Sequence, residues 1–197
     1  MNSSTWSLCL TNVLALVVAV ALGWQLADLM LLYWLQSVII GASYFLRMLS
    51  LEKFSTENFT MNGRSVDPTP ATKRSVAMFF AFHYGFFHLT CLIFLMVGFM
   101  GETGFGLDVL ACAVIFAVNH AFSYRHNLAQ DRAGSPNIGT LMFVPYLRVV
   151  PMHMTIILGS MLGAEGLGLV LFGVLKTVAD ALMHTVEHRM LGKAARD

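Results

Sequence analysis

Six apolar stretches constrain this chain more than any other feature of its sequence. Each is long enough to cross about 30 Å of hydrocarbon as an α-helix, which takes about 20 residues. They lie near residues 6–23, 29–48, 76–100, 107–126, 141–163 and 166–190 and are called spans 1 to 6. The mean hydropathy of +0.69 also exceeds that of ordinary soluble domains. The sequence predicts an all-α integral membrane protein with six transmembrane helices, forming one domain over residues 1–197 in contact with the lipid bilayer.

The Lys and Arg residues predict the orientation of the spans. Of the twelve, all but one lie around the loop between spans 2 and 3, around the loop between spans 4 and 5, or at the C-terminus. Cytoplasmic loops of membrane proteins carry an excess of Lys and Arg. We therefore expect loop 51–74 and both the N and C termini to be cytoplasmic. The net charge of +1 gives no reason to expect a nucleic-acid partner.

Histidines fall at a similar depth in several spans. A rise of about 1.5 Å per residue from the cytoplasmic end of each span places His83, His120 and His184 about 10 Å deep. His153 lies in the same half of the membrane or at its midplane. Ionisable residues inside spans are costly and often mark a functional interior. The sequence predicts a polar site in the cytoplasmic half, with interhelical hydrogen bonding as the alternative role of these residues.

Span 6 contains KTVADALMHTVEH, in which polar residues recur every four positions and so form one stripe on a helix. Neutral imidazoles with one carboxylate form a good ligand set for a divalent metal, zinc first. The predicted ligands are His83, His120, His153, His184 and Asp180, with His88 and His188 as second choices. Four further residues are predicted to hydrogen-bond the ligands or to join helices: Lys176, Gln36, Asn119 and Arg148. Ser37 is given the same role as Gln36.

Several functions remain open for such a site. A zinc-bound water, with Asp180 or a spare histidine as the catalytic base, would hydrolyse an ester or amide in a lipid or membrane-protein substrate. Haem held by two histidines, a proton or ion pathway, and a non-catalytic bundle serving electron transfer or assembly are the alternatives. HYGFFH has the His-x₄-His spacing of a rhomboid-protease helix, but the GxSG motif is absent around Ser123, which disfavours that protease. Whether the chain is an enzyme stays open.

The chain resembles a known family over almost its full length. The segments that carry the resemblance are YWLQSVIIG, FFAFHYGFFH, NHAFSYRHN, FVPYLRVVPMHMTIILG and LKTVADALMHTVEH. They are similar to an uncharacterised family of prokaryotic polytopic membrane proteins, a domain of unknown function. The resemblance implies a cytoplasmic (inner) membrane location. The family pattern matches this chain at six polar residues: His83, His120, His153, Lys176, Asp180 and His184. The family often has Glu at the position of Gln36, and the resemblance implies no particular activity.

Overall fold

The computed structural model describes residues 17, 21, 23–98, 106–147, 149–150, 154, 174–175 and 177–178. Its helices are α1 (Leu26–Ser50), α2 (Pro70–Gly98), α3 (Leu107–Ala133) and the short α4 (Ile138–Phe143). A two-stranded antiparallel hairpin, β1 (Thr60–Met61) and β2 (Arg64–Ser65), lies between α1 and α2.

Three of the helices are long and apolar enough to cross a membrane, over Ala27–Ser50, Pro70–Val97 and Leu107–Ala133. They correspond to spans 2, 3 and 4 and confirm that the protein has the helices of a membrane protein. Most of spans 1, 5 and 6 lies outside the described residues. Large apolar side chains on α2 and α3 face outwards: Phe82 is 80% exposed and Ile115 is 69% exposed. Such surfaces suit contact with lipid rather than with water.

The polar ends of two helices extend beyond the predicted spans. Helix α2 begins at Pro70, so the loop predicted to reach residue 74 ends at Thr69. The Thr69 hydroxyl accepts a hydrogen bond from the Thr72 backbone N–H, and proline is favourable at a first helical position because it needs no amide partner there. Helix α3 continues to Ala133 through a polar segment that the hydropathy pattern excluded. Helix formation at these ends therefore does not require apolar residues.

Helix α1 lies at the centre of the described bundle. It packs against both α2 and α3, and α4 packs against α1 and α2. One buried cluster lies near the start of α1 and includes Trp24, Tyr33, Cys91, Leu95 and Val109. A second lies towards its end and includes Tyr44, Met48, Phe80, Tyr84 and Ile138. Helix α1 thus supplies side chains to both cores.

The loop after α1 packs on the loop after α3. The Ser55 N–H donates to the Pro136 carbonyl, and the Ile138 N–H donates to the Ser55 carbonyl, each at 3.0 Å. Asn137 caps α4 by accepting from the Thr140 N–H, and its side-chain amide donates to the Glu57 carbonyl at 2.8 Å. Eight of the twelve Lys and Arg residues lie in these two loops or near them in the sequence. The two loops, called the basic loops, therefore lie at the same end of the bundle.

Candidate functional site

His83 lies on α2 and is held by an aromatic residue beyond α4. Its Nδ1 is 2.9 Å from the Tyr146 hydroxyl. The imidazole stacks on Phe79 and meets Phe87 edge-on, with ring centroids 5.2 and 4.9 Å away. Because the hydrogen bond uses Nδ1, Nε2 is the ring nitrogen that remains to meet a ligand. Metal-binding histidines usually have their second nitrogen hydrogen-bonded in this way.

His88, one of the second-choice ligands, joins α2 to α1. Its side chain is 4% exposed. Nδ1 donates to the Tyr84 carbonyl, which leaves Nε2 to accept from the Ser37 hydroxyl, both at 2.9 Å. The Tyr84 hydroxyl donates to the Ser37 carbonyl at 3.0 Å. Both nitrogens of His88 are thus engaged, Nδ1 within α2 and Nε2 with α1. Ser37 hydrogen-bonds across the two helices, which is one of the two roles predicted for it.

His120 lies on α3 beside a cavity of about 580 Å³, called the α1–α3 cavity. The imidazole stacks on Phe116, with ring centroids 5.6 Å apart and ring planes inclined by 7°. Polar residues among those that line the cavity are Tyr44 of α1 and His120, Ser123, His126 and Asn127 of α3. The cavity is large enough for a small molecule or a lipid headgroup.

The segment after α4 links His83 to His120. Val144 and Pro145 line the α1–α3 cavity beside His120, and the next residue, Tyr146, hydrogen-bonds His83. One short segment therefore contacts His83 and borders the cavity that His120 lines. Within the described part of the chain, however, no group of three or more His, Cys, Asp or Glu residues could hold a metal ion. His88, the second-choice ligand within the described residues, lies in the contact between α1 and α2.

Other predicted site residues have different positions. Gln36 is half-buried on α1, and Asn119 is exposed on α3. The rest lie outside the described residues: His153, Asp180, His184, His188, Lys176 and Arg148. Their roles stay predictions.

A buried ion pair joins α1 to α3, and the sequence did not indicate it. The Arg47 guanidinium donates to both carboxylate oxygens of Asp131, from Nε at 2.7 Å and from the terminal nitrogen Nη2 at 3.0 Å. The two residues are 4% and 6% exposed. The guanidinium also lies 4.7 Å from the centre of the Tyr44 ring, and Tyr44 lines the α1–α3 cavity. The ion pair therefore fixes the helix ends beside the cavity.

A second polar contact joins the opposite ends of the same helices. The indole N–H of Trp24, just before α1, donates to the carboxylate of Asp108 in the first turn of α3. Since Arg47 and Asp131 join the last turns, α1 and α3 run in the same direction. Two membrane-spanning helices with one other spanning helix between them in the sequence, as α2 lies between α1 and α3, must run in the same direction.

Comparison with known proteins places the whole chain in a family. The model of a family of unknown function matches residues 1–197. The chain belongs to the DUF6498 family. The resemblance to an uncharacterised family is thereby confirmed. No curated protein and no solved structure matches this DUF6498 chain.

Proposed function

We propose that this protein is a six-helix membrane protein with both termini and both basic loops in the cytoplasm. The parallel arrangement of α1 and α3 supports this topology, since they correspond to spans 2 and 4. The contact between Ser55 and Pro136 supports it further, because it brings the two basic loops together. An excess of Lys and Arg favours the cytoplasmic side.

We further propose that a histidine site in the cytoplasmic half binds a divalent metal, zinc first. The observation that carries this proposal is the shared segment 144–146, which lines the α1–α3 cavity with His120 and holds His83 through Tyr146. The described residues fit part of a ligand set, two imidazoles from two helices. His153, Asp180 and His184 are the proposed source of the remaining ligands.

The described residues have defined roles in this proposal. Tyr146 orients His83 and fixes which ring nitrogen is presented, while the Arg47–Asp131 pair holds α1 against α3 beside His120. A bound zinc ion would supply a water molecule of lowered pKa, as hydrolysis of a lipid-borne ester or amide requires. Hydrolysis is the activity that we propose to assay once metal binding is established.

Metal analysis of the purified protein tests the proposal. We expect stoichiometric zinc, loss of zinc in His83→Ala and in His120→Ala, and zinc affinity lowered about 10- to 100-fold in Tyr146→Phe. His126→Gln is the matched control, because His126 also lines the cavity but belongs to no proposed ligand set. A folded protein that contains no metal, or variants that keep full zinc occupancy, would refute metal binding at this site. A Soret band in the visible spectrum would identify haem instead.

The His88 network favours a second candidate, a non-catalytic bundle in which histidines join helices. His88 uses both ring nitrogens within the protein, and the His83–Tyr146 hydrogen bond could serve the same purpose. In that case His83→Ala would lower the thermal stability equally with and without a chelator. A stability loss that disappears when wild type and variant are both stripped of metal would support the metal site.

A further inference from the structure

The α3 helix exposes two chemically different faces. Val118 and Phe122, which are 55% and 67% exposed, belong to an apolar face that suits lipid contact. His126 and Asn127 lie three and four residues after Ser123, so they share another side of the helix with it, and all three line the α1–α3 cavity. Polar side chains at the membrane are costly unless they meet a polar partner. A polar ligand on this side of α3 would therefore be favourable.

The polar lining of the cavity offers hydrogen-bond donors. Ser123 and Tyr44 contribute hydroxyl groups and Asn127 contributes an amide. The Gln130 amide nitrogen lies 3.1 Å from His126 Nε2; since that nitrogen donates, Nε2 accepts and the proton of the neutral imidazole is on Nδ1. None of the cavity-lining residues that the structure describes is an Asp or Glu. A lining of donors without carboxylates suits an anionic, oxygen-rich group.

The depth of these residues matches the boundary between the hydrocarbon core and the headgroup layer, with Asn127 at the boundary and Ser123 about one turn deeper. With 27 residues, α3 is about 40 Å long, and it exceeds the roughly 30 Å hydrocarbon core. Ser123 and Asn127 lie about 15 and 9 Å from its end at Ala133 along the axis. The exposed Arg125 in the same stretch adds a cation at this level.

The cavity also has access to the bilayer from the side. Phe122 lines the cavity and is also 67% exposed on the apolar face of α3. The buried Ile40 and Val144 provide apolar lining. A lipid could place its headgroup at the polar residues while its acyl chains remain in the bilayer past Phe122. A soluble anion would gain nothing from this apolar, laterally open border.

We propose that the α1–α3 cavity binds the phosphate headgroup of an anionic membrane lipid. Ser123, His126 and Asn127 donate to the phosphate oxygens. Arg125 does not line the cavity, but its exposed charge at the same level of the membrane favours an anionic lipid over a zwitterionic one. The site goes beyond the proposed metal site, because these four residues belong to no proposed metal ligand set. Either proposal can fail without the other.

Native mass spectrometry of the full chain tests lipid binding. The protein is reconstituted in phosphatidylcholine vesicles with and without phosphatidylglycerol, extracted in mild detergent, and the retained lipid is identified. We expect selective retention of phosphatidylglycerol. The double variant S123A/N127L removes two hydrogen bonds to a charged group and should lower its apparent affinity at least about tenfold. Arg125→Gln should reduce the preference for phosphatidylglycerol over phosphatidylcholine.

Val118→Leu is the matched control, since it changes the apolar face of the same helix and should retain lipid as the wild type does. Zinc content is measured on the same samples, so loss of lipid with unchanged zinc separates the two proposals. Equal retention of both lipids, or unchanged retention in S123A/N127L and in Arg125→Gln, would overturn the lipid site. Displacement of the lipid by inorganic phosphate at comparable affinity would assign the cavity to a soluble anion and also overturn it.

Discussion

Removal of the Asp131 carboxylate should destabilise the protein strongly. In Asp131→Ala, the Arg47 guanidinium loses two charge-assisted hydrogen bonds, at 2.7 and 3.0 Å, while it remains 4% exposed in the native packing. Its stacking on Tyr44 does not replace them. Breaking a buried ion pair at one partner costs about 3 to 5 kcal/mol, because an uncompensated buried charge remains. We expect the free energy of unfolding to fall by that amount.

Equilibrium unfolding in detergent, followed by circular dichroism, measures this loss. The double variant R47M/D131L should recover most of the lost stability, since apolar residues of similar volume often replace a buried pair at little cost. Arg132→Ala is the control, because Arg132 is exposed and adjacent in sequence, and it should change the stability by no more than about 0.5 kcal/mol. A loss below about 1 kcal/mol in Asp131→Ala, as for surface ion pairs, would refute the reasoning from burial.

Two further predictions concern the contact between α1 and α2, and two come from the proposals above. Gly41→Ala should cost about 1 to 3 kcal/mol in the same unfolding assay, because an added methyl group would overlap the Tyr84 ring; full stability would show that the helices can separate at no cost. Ser37→Ala should cost about 1 to 3 kcal/mol by leaving the buried His88 Nε2 without its donor, and Ser37→Thr, which keeps the hydroxyl, should retain more stability than Ser37→Ala. Zinc loss in His83→Ala and loss of phosphatidylglycerol in S123A/N127L are the remaining two.

The hydropathy pattern along the sequence was sufficient to predict the three membrane helices that the structure describes. Spans 2, 3 and 4 match α1, α2 and α3 because an uninterrupted apolar run must satisfy its backbone hydrogen bonds internally in lipid. Hydropathy was a poorer guide to where the helices end. The first helical turn of α2 at Pro70 is polar and is stabilised by the Thr69 cap. The last helical turn of α3 before Ala133 is also polar and is stabilised by the Arg47–Asp131 pair.

The candidate site was predictable only in part. His83 and His120 stood out as ionisable residues inside spans, and their link through residues 144–146 is consistent with a common site. The sequence ranked His88 behind His83 as a ligand, but it could not show that His88 serves the α1–α2 contact. That distinction depends on which helix each ring faces.

The sequence by itself determined that the chain is a helical membrane protein, which segments form α1 to α3, and which polar residues lie within them. These properties follow from composition and spacing along one segment. Only the tertiary structure decided that Arg47 pairs with Asp131, 84 residues away, that Ser37 meets His88, and that a donor-lined cavity borders α3. Such contacts depend on the relative rotation of packed helices, and helix rotation is set by the side chains of two helices together.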